Sequence, residues 1–142
     1  MRTMRKVAIL TDGGSDLPSN LVEDFEISII PYRIIIEDDV YFHHCNDKTT
    51  ITREEFYRRL KECKKDDLPH TSVPAPSHFM KGFQEALEVA DSVIAIFLAS
   101  KQSGTVQSAE RIIQARFPEK DITIFDSNQI MSGIGVQALY AA

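Results

Sequence analysis

The sequence predicts a three-layer α/β domain, a parallel sheet with helices on both faces. Two observations carry that expectation. Short apolar runs of strand length, Val7 to Thr11, Val93 to Leu98 and Ile122 to Phe125, alternate with longer segments whose apolar residues recur every three or four positions. Such alternation implies strands joined by crossover helices, which cover a parallel sheet on both sides. The length of 142 residues is that of one domain with room for a substantial core.

Val7 to Thr11 reads as a buried strand ended by the Gly13-Gly14 turn. Ser15 or Asp16 is expected to cap a helix with Pro18 in its first turn, followed by Leu21, Val22 and Phe25. Ile27 to Ile36 has strand character, and Pro31 within it implies an edge position or a bend, because proline has no N–H to give to a ladder. Glu37-Asp38-Asp39 is a turn from which Val40-Tyr41-Phe42 pairs back as a short strand. Thr52 with Glu55 three residues on forms a capping box, opening a helix to about Lys65 with Phe56, Leu60 and Cys63 on its apolar side. His78 to Ala90 is a second helix of this region, with Phe79, Met80, Phe83 and Leu87 toward the core. After the strand Val93 to Leu98, a helix runs from about Gly104 to Phe117 on the stripe Val106, Ala109, Ile112, Ile113 and Phe117. The strand Ile122 to Phe125 and a small, apolar helix from Ser132 to Ala142 complete the chain, with no repeat, low-complexity segment or linker.

In parallel sheets, ligands bind beyond the carboxyl ends of the strands. Thr11-Asp12, the loop Ser100 to Thr105, and Asp126-Ser127 each follow a strand directly, so strand direction alone gathers three polar loops on one rim. The middle loop is the richest. Ala99-Ser100-Lys101-Gln102-Ser103-Gly104-Thr105 carries the chain from a strand into a helix N-terminus, where unpaired N–H groups and the helix dipole favour an anion. Ser100, Ser103 and Thr105 add hydroxyl donors, and Gly104 permits close backbone approach. The plainer reading of this loop is helix capping by one of its hydroxyls. A second motif, Thr71-Ser72-Val73-Pro74-Ala75-Pro76-Ser77, presents Thr71 and Ser72 from a backbone stiffened by two prolines. Its plainer reading is a rigid connector between helices, with Ser77 capping the second.

Together these motifs resemble the DegV family of bacterial fatty-acid-binding proteins, in which a Thr-Ser-x-Pro-Ser loop precedes Ser-Ser-x-x-Ser-Gly-Thr-Tyr-x-Ser-Ala. The corresponding residues are Thr71 to Pro74 and Ala99 to Ala109. Thr11-Asp12-Gly13-Gly14-Ser15-Asp16-Leu17-Pro18 sits where that family has Asp-Ser-Thr-x-Asp-Leu-Pro. Ile30-Pro31, the Phe56-Tyr57 helix, and Asp126-Ser127 with Gly133 and Gly135 extend the likeness over essentially the whole chain. Gly13-Gly14 replaces a Ser-Thr pair, Ala99 replaces a serine, and Val106 replaces a tyrosine. The resemblance implies a Rossmann-like domain spanning residues 1–142, equivalent to the N-terminal half of such proteins, without the second, lipid-binding domain. It implies a protein that binds a long-chain fatty acid and is not itself an enzyme. In that role it would be the acyl-presenting partner of a fatty acid kinase subunit that supplies ATP. It further implies that Thr71 and Ser103 hold the carboxylate, assisted by Gly104 and Thr105 N–H groups and then by Ser72 and Ser100. Thr11, Asp12, Asp126 and Ser127 would support them, with no cofactor or metal. The acyl chain would need an apolar slot, for which Phe79, Met80 and Phe83 are candidates, although such a stripe is more simply a core face.

The remaining features narrow the field. A net charge of −5 argues against a nucleic-acid partner, and the basic residues from Arg53 to Lys65 interleave with acidic ones as on a solvated helix face. Cys45 and Cys63 form neither a disulfide framework nor a zinc pattern; Cys63 reads as core and Cys45 as a free thiol in an irregular stretch. Met1 to Lys6 is basic but lacks the apolar region and cleavage site of a secretory signal, and no run approaches membrane-spanning length, so a cytoplasmic protein is expected. Two alternatives stay open. One is a small serine hydrolase or phosphatase using Ser103 or Asp12, with His70 or His78 as base. The other is an interaction module without ligand, forming a homodimer through the surface a second domain would cover. Nucleotide binding at Gly13-Gly14 lacks the Gly-x-Gly-x-x-Gly and Gly-Lys-Ser/Thr spacings, and a cation held by Asp12, Asp16 and Asp126 competes with ordinary capping by these residues.

Overall fold

A computed structural model describes residues 6–142; the basic segment Met1 to Arg5 lies outside them. Its centre is a parallel sheet of β1 (Val7–Asp12), β2 (Ser28–Ile30), β7 (Ser92–Phe97) and β8 (Ile122–Asp126), in the order β2-β1-β7-β8. Side chains alternate across each strand. Ala8, Leu10, Val93, Ala95 and Phe97 face one layer, where α3 (Pro76–Val89) contributes Phe79, Phe83 and Ala86 and α4 (Thr105–Arg116) contributes Val106 and Ala109. Ile9 and Ile96 face the other layer, with Val22 of α1 (Ser19–Asp24) and Ile134 and Ala138 of α5 (Ser132–Ala141). The three-layer α/β expectation therefore holds. Gly135 is required where α5 crosses the first turn, because a Cβ there would lie 2.8 Å from the Ser15 carbonyl oxygen.

A second sheet was foreseen only in its central hairpin, where Val40, Tyr41 and Phe42 pair back on Ile35, Ile34 and Arg33. β3 (Tyr32–Ile36), β4 (Asp39–Cys45), β5 (Lys48–Thr49) and β6 (His70–Ser72) form an antiparallel sheet in the order β5-β4-β3-β6. Pro31 explains half of it. The apolar run Ile27 to Ile36 breaks there, β2 joining the edge of the parallel sheet and β3 entering the antiparallel one. β6 is too short and polar to announce itself, and it exists because Thr71 and Ser72 pair with Ile34 and Arg33. The Thr71 motif is thus strand and loop, not simply an interhelical connector. Ser77 does not cap the helix after it: the N-cap is Ala75, without a side-chain bond, and Pro76 occupies the first turn.

Other boundaries moved for local reasons. Neither Ser15 nor Asp16 caps α1. Gly13–Ser15 coils into a 3-10 turn capped by Asp12 and ended by Asp16 at φ 52°, and Pro18 is the N-cap of α1. In α2 (Arg53–Glu62), Thr52 accepts the Glu55 N–H at 3.1 Å, but the Glu55 carboxylate turns to Arg58 and Arg59. The charged residues of α2 do form a solvated face, and the helix buries none of its residues. Cys63 is accordingly half-buried at its C-cap rather than core, whereas Cys45 is the buried cysteine, at the end of β4; both are free thiols. His43 and His44 also belong to β4, so the stretch read as irregular around Cys45 is strand.

Candidate functional site

A cavity of about 470 Å³ opens beyond the carboxyl ends of β1 and β7. Four segments line it. The end of β1 and its turn give Asp12, Gly13, Gly14 and Asp16. The antiparallel sheet gives Tyr32, His43, Thr71 and Ser72, with Val73 following. The β7–α4 loop gives Leu98 and Gln102 to Thr105, and the β8–α5 loop gives Ile130 and Met131. Of the residues singled out from sequence, Thr71, Ser72, Ser103, Gly104, Thr105 and Asp12 come together here. Thr11, Ser100, Asp126 and Ser127 do not line the cavity.

The β7–α4 loop is built from its own backbone and from its neighbour. Gln102 and Ser103 both donate their N–H to the Ala99 carbonyl, at 2.9 and 3.1 Å, and Ala99 donates to Gln129 at 3.0 Å. The N-cap of α4 is Gly104, without a side-chain cap, which corrects the expectation that a hydroxyl serves there. Ser103 Oγ instead shares a 2.9 Å hydrogen bond with Thr105 Oγ1 and accepts the Thr105 N–H at 3.3 Å. Thr105 is buried, Ser103 half-buried and Thr71 exposed, so the hydroxyls of Thr71 and Ser103 are the more accessible of these donors. Ser72 is committed: its Oγ accepts Arg33 Nη2 at 2.7 Å, while Arg33 Nε reaches the Val73 carbonyl at 3.3 Å and pins this segment to β3.

Asp12 is nearly fully buried and brackets the floor of the site. Its carboxylate accepts the Gly14 N–H at 2.7 Å and the Leu98 N–H at 3.0 Å, tying the turn to β7. Burial pushes its pKa up, against the pull of those two N–H groups. Thr11 is buried behind it with no partner for its Oγ1. Gly13 is needed because β4 crosses it closely: a Cβ would sit 2.1 Å from the His43 carbonyl oxygen. A serine in that position would displace β4.

Asp126 and Ser127 act as buttresses. Asp126 Oδ1 accepts the N–H groups of Ser100 and Asn128, each at 3.1 Å. Ser127 Oγ accepts the Gln129 N–H at 3.1 Å, and Gln137 Nε2 donates to the Ser127 carbonyl. Hydrogen bonding from Ser100 first, and then from the Asn128 N–H, holds the Asp126 carboxyl below the usual carboxylate range. Its stabilising contribution is therefore complete above the unfolded value and disappears as pH falls through the lowered folded value. Asp126→Asn is expected to lower the unfolding midpoint at neutral pH and to flatten its decline in acid, in thermal melts from about pH 7 to about pH 3.

Residues not assigned to the carboxylate site from sequence complete the cavity. His43 Nε2 lies 3.9 Å from an Asp16 carboxylate oxygen, and the His43 and Tyr32 rings are 4.9 Å apart between centroids. Met131, on the rim, has φ 50° and ψ −133°, a conformation that costs a non-glycine residue about 1–3 kcal/mol. Pro31, which splits the strand run, was the available hint, and it indicates no partner in sequence. A second cavity of about 600 Å³ between α2 and the antiparallel sheet shares Asp16, Tyr32 and His43 with the first and adds Ile34, Ile51, Phe56 and Tyr57. Phe79 and Phe83, candidates for an acyl slot, are instead fully buried against Phe97 in the core. Asp126, one of the three carboxylates considered for a cation, instead serves the Ser100 loop, and among the described residues no group of three or more His, Cys, Asp or Glu is arranged to hold a metal ion.

Residues 6–142 match the family model described as "Uncharacterised protein, DegV family". A DegV domain-containing protein, TTE1491, of Caldanaerobacter subterraneus subsp. tengcongensis is 39% identical over 140 residues, covering 98% of this chain and 47% of that protein. One from Listeria monocytogenes, lmo1863, is 33% identical over 139 residues, with 98% and 47% covered. This chain thus spans about half the length of the curated relatives it matches. Among solved structures, "Fatty Acid Binding of a DegV family Protein from Thermus thermophilus" superposes with a TM-score of 0.81 at 32% identity, covering 97% of this chain and 46% of that one. DegV of Bacillus subtilis, described as a fatty acid binding protein, gives 0.74 at 26% identity, with 97% and 46% covered.

Proposed function

The chain belongs to the DegV family, and on that premise we propose that it binds the carboxylate of a long-chain fatty acid in the cavity above β1 and β7. The observation that carries this reading is the composition of the lining. Thr71 and Ser103 offer hydroxyls beside the N-terminus of α4, whose cap lacks a side chain, and Val73, Leu98, Ile130 and Met131 supply apolar surface at the same opening. A carboxylate needs oriented donors and no base, and the uncapped first turn adds N–H groups and a favourable dipole. Gly104 contributes through its backbone, and the Thr105 N–H, donated to Ser103 Oγ, holds that hydroxyl in place. Ser72 and Ser100 act indirectly, Ser72 through Arg33 and Ser100 through Asp126.

In this reading the protein is a binding component acting in the cytoplasm, and a separate fatty acid kinase subunit supplies ATP and phosphorylates the held carboxylate. With Thr105 Oγ1 donating to Ser103 Oγ, the Ser103 hydroxyl keeps its hydrogen for the carboxylate. Among the described residues, no helix is long and apolar enough to cross a membrane. One observation favours an added role in association: Ile130, Met131, Val136 and Tyr140 are all exposed, from the cavity rim along α5. A homodimer through this face is the corresponding proposal.

Native mass spectrometry of the purified chain, followed by denaturing extraction and lipid analysis, tests the reading. One fatty acid per chain is expected. A lipid-free protein that also fails to take up added fatty acid, and sediments as a dimer, would replace it with the interaction module.

A further inference from the structure

Among the described residues lining the cavity there is no lysine or arginine, while Asp12 and Asp16 both border it. A fatty-acid carboxylate would therefore join two acidic groups in a confined space. Asp12 is occupied with the Gly14 and Leu98 N–H groups. His43 is the lining side chain able to become a cation near neutral pH. Its imidazole is only 12% exposed, stands 3.9 Å from the Asp16 carboxylate and rests against the Tyr32 ring. Its position is fixed by β4, whose carbonyl at this residue crosses Gly13.

We propose that His43, oriented by Asp16, is the charge-balancing residue of this site: it takes up a proton when an anionic headgroup enters. The inference rests on the fatty-acid reading and extends it, making affinity depend on pH through this chain's own side chain.

The groups facing His43 support a poised imidazole. Burial favours the neutral ring, the Asp16 charge favours the protonated one, and His44 beside it on β4 again favours the neutral one. Tyr32 from β3 stays neutral, its own pKa raised by burial and by Asp16 and Asp12. The second cavity, which His43 also borders, carries Asp47, Arg53 and Glu54. In the free protein the ring is held toward its neutral form. A carboxylate arriving beside it shifts the balance toward imidazolium, and by linkage a lower pH tightens binding. The ligand's covalent bonds are unchanged; a proton leaves a solvent or buffer acid and forms an N–H bond on the His43 ring.

The test is titration calorimetry of the chain with dodecanoate below its micelle concentration, near neutral pH, in buffers of different ionisation enthalpy. The wild type is expected to take up a substantial fraction of one proton per ligand. Its affinity should fall by up to about tenfold from about pH 6.5 to about pH 7.5. His43→Gln should bind with little proton uptake and a flatter pH profile, with its unfolding midpoint showing that the fold persists. Equal proton uptake in His43→Gln would assign the proton to Asp12 or to the ligand and overturn the inference while leaving fatty-acid binding intact. Absence of binding in the wild type would overturn the fatty-acid reading itself. The pair can then be tested in the free protein, by NMR titration of the His43 ring. Asp16→Asn is expected to lower the His43 pKa, and an unchanged value would overturn the coupling.

Discussion

Replacing Thr71 and Ser103 together with alanine is expected to weaken binding of a long-chain fatty acid by about a hundredfold to ten-thousandfold. A hydrogen bond to a charged group contributes about 1.5–3 kcal/mol, and about 1.4 kcal/mol changes a dissociation constant tenfold. Both hydroxyls reach the cavity, one from β6 and one from the loop before α4, so the two losses fall on one headgroup. The variants should differ in stability. Thr71 is exposed, with no hydrogen bond described for its hydroxyl, and Thr71→Ala should leave the unfolding midpoint nearly unchanged. Ser103→Ala removes the partner of the buried Thr105 hydroxyl and should cost about 1–3 kcal/mol of folding stability. Urea unfolding beside equilibrium binding of a fluorescent fatty acid separates the two effects. Undiminished affinity in the double variant would remove these residues from the site.

Phe83→Ala is expected to produce the largest loss of stability, about 3–5 kcal/mol, because it empties a fully buried ring site. Phe83 stacks with Phe79 at 6.4 Å and meets Phe117 edge-on at 6.0 Å, between α3 and α4. Its neighbours sit on a sheet and two helices and cannot collapse freely into the space. Fatty-acid affinity, measured under conditions where the variant remains folded, should be retained, since Phe83 does not line the cavity. Loss of affinity out of proportion to the unfolded fraction would return Phe83 to the list of acyl contacts. The outcome thus separates a core stripe from a ligand slot, two roles that leave the same helical spacing in a sequence.

The parallel sheet, both of its helical layers and the position of the rim were legible in the sequence. The run from Val93 to Leu98 and the stripe from Val106 to Phe117 have different periods, and those periods reflect burial on one strand and one helix face, which local sequence encodes. The rim followed because parallel strands all end on the same side. The motifs of Thr71 and Ser103 were also legible, and the cavity brings them together.

What escaped was the antiparallel sheet beyond its hairpin, and the side-chain contacts that long-range packing sets. β6 is three residues long, and its identity as a strand comes from Ile34 and Arg33 on β3, about forty positions away. The roles of Ser100 and Asp126 were obscured for the same reason: an aspartate at a strand end has the same local signature whether it faces a ligand or a neighbouring loop's N–H. By itself the sequence determined the α/β layering and which polar loops share one end of the sheet, because both follow from side-chain periodicity and strand direction. Only the tertiary structure decided that an antiparallel sheet folds over that end and sets His43 against Asp16 and Tyr32. That contact depends on β4 crossing Gly13 at backbone distance, a long-range packing event with no local pattern to announce it.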